Sequence, residues 1–515
     1  MNYFLCLIAV FFSSLNIFSQ DIIEEVGNTL YSKKNYTEAL PIYKKLFQQE
    51  PDNVDYNYRL ATCYLNTFTN RADAISHLEY ISGKRSKDPE IWYYLGLAYQ
   101  YGNRFDEAIA AYEKAKSLGL SKLLANAERQ IETCNNGKEL IKYPLNVSFQ
   151  NLGKSVNTKY PDYLPLIPYD ESFMVFTSRR KENVGSLQEV DGYYSSDIYM
   201  SVPKNGEWIN TKGILGQINT AYDEKAVDLT GNGKFMMVYL DRIDSLGNIY
   251  SSENTKTGFQ RLKKLFGDIN SGFESGGSFS QDDDFIVYAS NRNGGMGGSD
   301  LYSTRKLPNG QWAVSQNLGP NVNTKYDEDF PHLSKDGKIL FFASQGHSSM
   351  GGYDIFKSAW DEEKKCWTAP QNIGYPINNS YDNMNISFPI DSSQAYLSTV
   401  RDDGFGDLDI YKVKFKDKSE RYCIITGAVT THDPSVDQNL KITINASEAN
   451  SKETLKYQPI KKSGKYVMAL TPGNYTIKII ADGFQEISYT LTINDVPFQS
   501  EMTNDFILTR STTPQ

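Results

Sequence analysis

Apolar positions change their period twice along the chain. From residue 21 to 140 they recur every three or four residues, as on one buried face of a helix: Gly27, Leu30, Ala39 and Tyr43, then Leu60, Ala61, Tyr64, Ala74 and Leu78, then Trp92, Leu95, Tyr99, Ala108, Tyr112 and Ala115. A further helix is expected from about Lys122 to Cys134, stopped by Asn135-Asn136-Gly137. From Leu145 to about Lys416 the pattern turns to short strands between polar turns. One unit reads Phe330–Ser334, turn Lys335-Asp336-Gly337, Lys338–Ala343, a Gly-rich loop Gln345–Gly352, Asp354–Ser358 and Trp367–Ile373. That is four strands. From 420 to 510 a third stretch alternates apolar and polar residues in Cys423–Thr430, Leu440–Ala446, Gly464–Leu470, Tyr475–Ala481 and Ser488–Ile493.

Within the middle stretch one phrase returns five times: Val156-Asn157-Thr158, Ile218-Asn219-Thr220, Ile269-Asn270-Ser271, Val322-Asn323-Thr324 and Ile377-Asn378-Asn379. Each leads to an aromatic and an acid, namely Tyr160/Asp162, Tyr222/Asp223, Phe273/Glu274, Tyr326/Asp327 and Tyr381/Asp382. A second marker follows at Asp197-Ile198-Tyr199, Asn248-Ile249-Tyr250, Asp300-Leu301-Tyr302, Asp354-Ile355-Phe356 and Asp409-Ile410-Tyr411. A strand-rich period of about 50 residues is the signature of a β-propeller. The count is five blades, or six if the first unit, with its insertion Lys181–Asp191, contains another. The last unit stops at Phe415 without a fourth strand, whereas Leu145–Gly153 resembles the fourth strand Ala313–Gly319 yet precedes the first blade. The early strand is therefore expected to complete the last blade and close the ring, which removes open sheet edges.

The helical stretch resembles tetratricopeptide repeats, in three units with a capping helix over residues 21–140. The repeat register places Asn28, Tyr31, Tyr58, Thr62, Leu65, Tyr93, Leu97 and Gln100 on the concave face, where such arrays take a peptide or partner helix. Residues 145–417 resemble WD40-like, TolB-type propellers, most clearly in Ala289–Tyr302. The phrase Ser463-Gly464-Lys465-Tyr466, with Pro472-Gly473-Asn474-Tyr475-Thr476-Ile477 and Gly483-Phe484, resembles carboxypeptidase-regulatory-like (transthyretin-type) β-sandwiches over 420–510.

Charge and composition narrow the partners. The net charge is −9 and no long basic run occurs, which disfavours nucleic acid. Residues 1–20 carry no charged side chain and read as a secretory signal peptide with cleavage near Ser19 or Gln20. Cys63, Cys134, Cys366 and Cys423 are scattered and read as inert thiols. Asp244-Ser245-Leu246 resembles an O-glycosylation acceptor of some exporting bacteria.

Signs of chemistry are few. His77, His332, His347 and His432 are far apart in sequence and form no metal-binding pair, and no nucleophile elbow occurs. No catalytic residue, metal or cofactor is expected. The marker acids Asp197, Asp300, Asp354 and Asp409 are expected to fix the loops before them. The phrase acids Asp162, Asp223, Glu274, Asp327 and Asp382 have two readings. They form a ring at one mouth of the propeller channel that attracts cations or a basic peptide, or they cap turns and bond to the neighbouring blade.

Signal, tetratricopeptides, propeller and sandwich in this order resemble PorE-type envelope proteins of bacteria with type IX secretion and gliding. Members usually continue into an OmpA-like peptidoglycan-binding domain, whereas this sequence ends at Gln515 after the sandwich. Attachment through a protein partner is therefore expected, rather than direct peptidoglycan binding. The resemblance implies a non-enzymatic periplasmic scaffold that binds outer-membrane or secretion components through the helical groove and propeller faces. The alternative is a receptor whose propeller captures a peptide, glycan or small molecule.

Overall fold

The computed structural model describes residues 21–67, 70–214, 217–242, 245–265, 267–389, 393–416, 421–433, 440–449, 451, 453–495 and 501–511. The leader at 1–20 and Asp244 of the acceptor triplet lie outside them. Among the described residues no helix is long and apolar enough to cross a membrane. Among the described residues Cys63, Cys134 and Cys366 are free thiols.

Seven described α-helices come first: α1 (21–32), α2 (Tyr36–Gln49), α3 (Val54–Leu65), α4 (Ala74–Lys84), α5 (Pro89–Tyr101), α6 (Phe105–Ser117) and α7 (Leu124–Leu140). Side-chain caps set several starts. Asn53 accepts from the backbone N–H of Asp55 and Tyr56, and Asp88 accepts from Glu90 with Pro89 in the first turn. Helix pairs pack closely at small residues. A Cβ on Gly96 would lie 2.6 Å from the Tyr112 ring, so a larger residue there would force α5 and α6 apart.

Helix α7 does not stop at Asn135-Asn136-Gly137 as the stop signal predicts, but runs on to Leu140. Tertiary contacts override the local signal. A Cβ on Gly137 would lie 2.6 Å from Phe105 Cζ, so the glycine serves close packing, and Asn136 Nδ2 donates to the Ser349 carbonyl at 2.9 Å.

Among the described residues the strands that follow make five blade sheets, and no sixth is present. Blades one to four begin at the innermost strands Asp162–Leu166, Asp223–Leu229, Gly277–Phe279 and Glu328–Leu333. The insertion Lys181–Asp191 holds no strand of its own; near it only an isolated bridge joins Gln188 to Tyr194. Blade five pairs Gln394–Thr399 with Asp409–Phe415, and Val147–Asn151 forms its outer strand, in register from Val147 opposite Phe415 to Asn151 opposite Tyr411. Chain from before blade one thus completes blade five.

The third unit has two sheets. Cys423–Thr431 pairs with Lys465–Leu470 and, in parallel, with Met502–Thr503 and Phe506–Leu508. Opposite it, Thr454–Tyr457, Ile442–Glu448, Gly473–Ala481 and Ile487–Ile493 form a four-stranded sheet. Ile425, Met468, Ile444, Ile477 and Leu491 share the core between them.

Helix α7 joins all three parts. Arg129 Nη2 donates to the carbonyls of Gln345 and Gly346 and to Ser349 Oγ, at 2.5, 3.0 and 2.7 Å, in the Gly-rich loop of blade four. Its neighbour Glu132 pairs with Lys465 of the third unit at 2.5 Å. Met350, Tyr422, Ile424 and Ala469 share one apolar cluster with Phe105, Tyr112 and Ile131 of the helices. Such a shared core fixes the three parts relative to one another.

Candidate functional site

The recurring phrase builds the ring. Its asparagine donates through Nδ2 to the carbonyl, and accepts through Oδ1 from the N–H, of one marker residue in the preceding blade. Asn219 does this to Ile198, Asn270 to Ile249, Asn323 to Leu301 and Asn378 to Ile355, all at 2.6–2.9 Å. Asn157 closes the circle on Ile410 of blade five at 2.9 and 3.0 Å. The marker acids fix the preceding loops. Asp197, Asp300, Asp354 and Asp409 accept backbone N–H bonds from Val184, Met296, Met350 and Phe405 at 2.6–3.0 Å.

The expected ring of open phrase acids is not formed; these carboxylates occupy two different positions. Asp162 and Glu274 are fully buried. Asp162 accepts from Thr158 and meets Arg180 at 2.5 Å, while Glu274 accepts from Gly272 and Ser290 and meets Arg292 at 3.4 Å. Burial raises both pKa values and the arginines oppose the rise. The matching position is Glu224 in blade two, Glu328 in blade four and Asn383 in blade five, each bonded to the phrase backbone four residues earlier. Burial pushes Glu224 and Glu328 up to about 7. Asp223, Asp327 and Asp382 instead accept the N–H of Ser196, Ser299 and Tyr353 in the preceding blade at 2.7–3.0 Å. Turn capping and blade-to-blade bonding therefore occupy these acids.

Side chains of the innermost strands meet between blades that are not neighbours. His332 on the innermost strand of blade four bonds Asp228 of blade two at 2.9 Å, past the innermost strand of blade three, whose Phe279 N–H also donates to Asp228. At another level Tyr163, Leu164, Phe330, Met384 and Leu408 from blades one, four and five pack together. Leu164 and Phe330 both take positive φ, 53° and 48°, at bulges that turn the innermost strands. One propeller face meets the helices. The Tyr381 hydroxyl accepts from the Arg71 N–H at 3.2 Å, and Arg129 lies 4.5 Å over Tyr326.

On the helices, five of the eight expected groove residues keep partial exposure: Asn28, Tyr31, Tyr58, Thr62 and Leu97. Tyr31 lies beside Tyr58, Tyr36 and Thr62, and Tyr58 is 6.5 Å from Tyr94. Burial lifts the hydroxyl pKa of Tyr58 and Tyr94, and the charges of Glu90 and Asp88 lift both further.

Leu65, Tyr93 and Gln100 are buried and do not belong to the open face. Helix α7 and the propeller fill that end of the array. Tyr93 packs 5.6 Å from Tyr112, and Gln100 donates to Thr133 Oγ1 of α7 at 2.9 Å and to the Met350 carbonyl of blade four at 3.3 Å. Repeat register alone gives no sign of this, because the partners lie 33 and 250 residues away. Sequence reasoning also missed Tyr94, half-buried beside Tyr58. Its place next to Tyr93, on the same turn of α5, was the available signal. Among the described residues no group of three or more His, Cys, Asp or Glu side chains is placed to hold a metal ion.

Residues 32–115 match the model of a repeat family described as anaphase-promoting complex, cyclosome, subunit 3. No curated protein matches. Among solved structures, MamA from Desulfovibrio magneticus RS-1 is 22% identical with a TM-score of 0.21, covering 23% of this chain and 66% of that one, just under two thirds. The Sgt2 TPR domain from Aspergillus fumigatus is 26% identical with a TM-score of 0.20, covering 24% of this chain and 84% of that one. An alpha-L-arabinofuranosidase from Lactobacillus brevis is 12% identical with a TM-score of 0.31, covering 54% of this chain and 93% of that one. The helical unit is thus a tetratricopeptide-like array, a protein-interaction scaffold by class.

Proposed function

We propose that this protein is a non-enzymatic scaffold of a bacterial cell envelope. It is exported by the leader at 1–20 and works in the periplasm against the outer membrane. There it holds protein components of that membrane, or of the type IX secretion and gliding machinery, as the resemblance to PorE-type proteins implies. In this reading 145–417 is a WD40-like base and 420–510 a carboxypeptidase-regulatory-like brace.

The observation that carries the proposal is the half-open row of Tyr31, Tyr58, Thr62 and Leu97 on a helical array fastened to a large base. Tyrosine offers broad contact area and a polar tip at low entropic cost. The innermost strands bring Phe330 and Leu164 together and join His332 to Asp228, which does not favour capture of a small ligand between them. Pull-down of the tagged native protein from envelopes tests the proposal. Stable membrane-protein partners, lost on Tyr58→Ala with folding intact, are expected. A clean monomer carrying only a soluble ligand, or hydrolysis of glycoside substrates by the purified protein, would contradict it.

A further inference from the structure

The half-open face has a charge pattern as well as a tyrosine floor. Asp21, Glu24, Glu25 and Asn28 recur at three- and four-residue spacing on α1, and line a surface depression of 400 Å³ together with Thr29 and Ser32. Asp55 stands at the start of α3, and Asp88 and Glu90 at the start of α5. Beside these six acids the same face carries Arg59 and Arg85. Arg59 lies over the Tyr31 and Tyr43 rings at 5.5 and 5.7 Å and donates to the Tyr43 hydroxyl. Arg85 is bound to Asp55 at 2.8 Å and lies 6.0 Å over Tyr58.

Arg85 shows what the face does with a guanidinium: an acid holds the charge and a tyrosine ring lies under it. The next position along the array has the acid and the ring without the cation. Tyr94 lies near Glu90 and Asp88, and among the described residues no cation is stacked on its ring. Glu90, Glu25 and Asp21 are exposed.

We infer that this face receives a basic segment of a partner protein, whose Lys or Arg side chains stack on Tyr94 and its neighbouring tyrosines and pair with the carboxylates at the helix starts. This rests on the reading of the concave face as the partner-binding face, and adds the chemistry of the partner. Each cation gains from the ring quadrupole and from the nearby carboxylates. An acidic segment would meet like charge over most of the face.

The test uses the purified full-length protein and three fluorescein-labelled peptides of one length and apolar content, carrying lysine, glutamine or glutamate at the same positions. Fluorescence anisotropy should show the lysine peptide binding most tightly and weakening as salt is raised. Tyr94→Ala should weaken it by about tenfold, Tyr94→Phe should retain most of the binding, and the exposed Glu90→Gln should weaken it while leaving the helical circular dichroism unchanged. Glutamine and glutamate peptides binding as tightly as the lysine peptide would overturn the inference. So would lysine-peptide binding that is absent, or indifferent to both Tyr94→Ala and Glu90→Gln. If envelope partners are still lost on Tyr58→Ala in that case, the scaffold stands and only the basic character of its partner fails.

Discussion

Asn157, Asn219, Asn270, Asn323 and Asn378 each commit both ends of one amide to the backbone of a residue in the preceding blade. No other side chain of that size donates and accepts in this geometry, which gives a physical reason for asparagine in all five copies. Asn323→Ala should therefore lower the stability of the propeller by about 2 kcal/mol, since it strands a buried N–H and carbonyl of Leu301. Asn323→Asp should cost at least as much, because a carboxylate cannot donate to that carbonyl. The shift of the urea midpoint of the β-sheet signal checks both.

Glu328 gives a pH dependence of definite sign. Its carboxyl is raised by burial from 4.5 to about 7. Between those values the folded chain keeps a proton that the unfolded chain has lost, so this group lowers stability as pH rises through that window and adds nothing further above it. The slope is about 1.4 kcal/mol per pH unit in the steep part. Glu328→Gln, whose amide can still bond Thr324 and Ser344, should abolish that fall. Denaturant midpoints of the two proteins at pH 4.5 and pH 8 should converge at the lower pH and diverge at the higher. Sequence spacing revealed that acids recur, but not that Asp162 and Asp223 do different work. The difference is one residue of register: Asp162 matches Glu224, and Asp223 reaches back to Ser196.

At the scale of elements, the closing strand was legible because Leu145–Gly153 resembles Ala313–Gly319 and the last blade lacked a partner for it. Periodicity also located the helices. It failed where distant contacts decide, as at the end of α7 under Phe105 and Ser349. The glycines of the blade-three loop serve two different ends. Gly294 has a positive φ, at 91°, whereas Gly297 has another reason to be glycine, since its Cβ would lie 2.8 Å from the Thr324 carbonyl oxygen of the next blade's phrase. Strand pairing and the Asn157 clasp together predict that the seam is held without the covalent link. A protease site inserted between the exposed Lys154 and Ser155 should be cut readily, and the two fragments should still co-elute on size exclusion. Separation on cleavage would mean that the closing strand contributes little.

At the scale of the whole molecule, Arg129, Gln100, Asn136 and Glu132 tie the helices to the propeller and the third unit. None of these ties has a local sequence signature, because each joins residues more than two hundred positions apart. Arg129→Ala should loosen the junction and expose the connection at 141–146 to limited proteolysis, while the separate units keep their circular dichroism. An unchanged digestion pattern would show that the apolar cluster around Met350 and Tyr422 suffices alone.

The central claim, that the half-open tyrosine face holds a protein partner, is tested most directly by photo-crosslinking in the producing cell. A benzophenone amino acid at position 58 should yield one discrete adduct with an envelope protein, and the same probe at exposed Val314 on the propeller should not. Position 58 giving no adduct, or the two positions giving the same adducts, would contradict it.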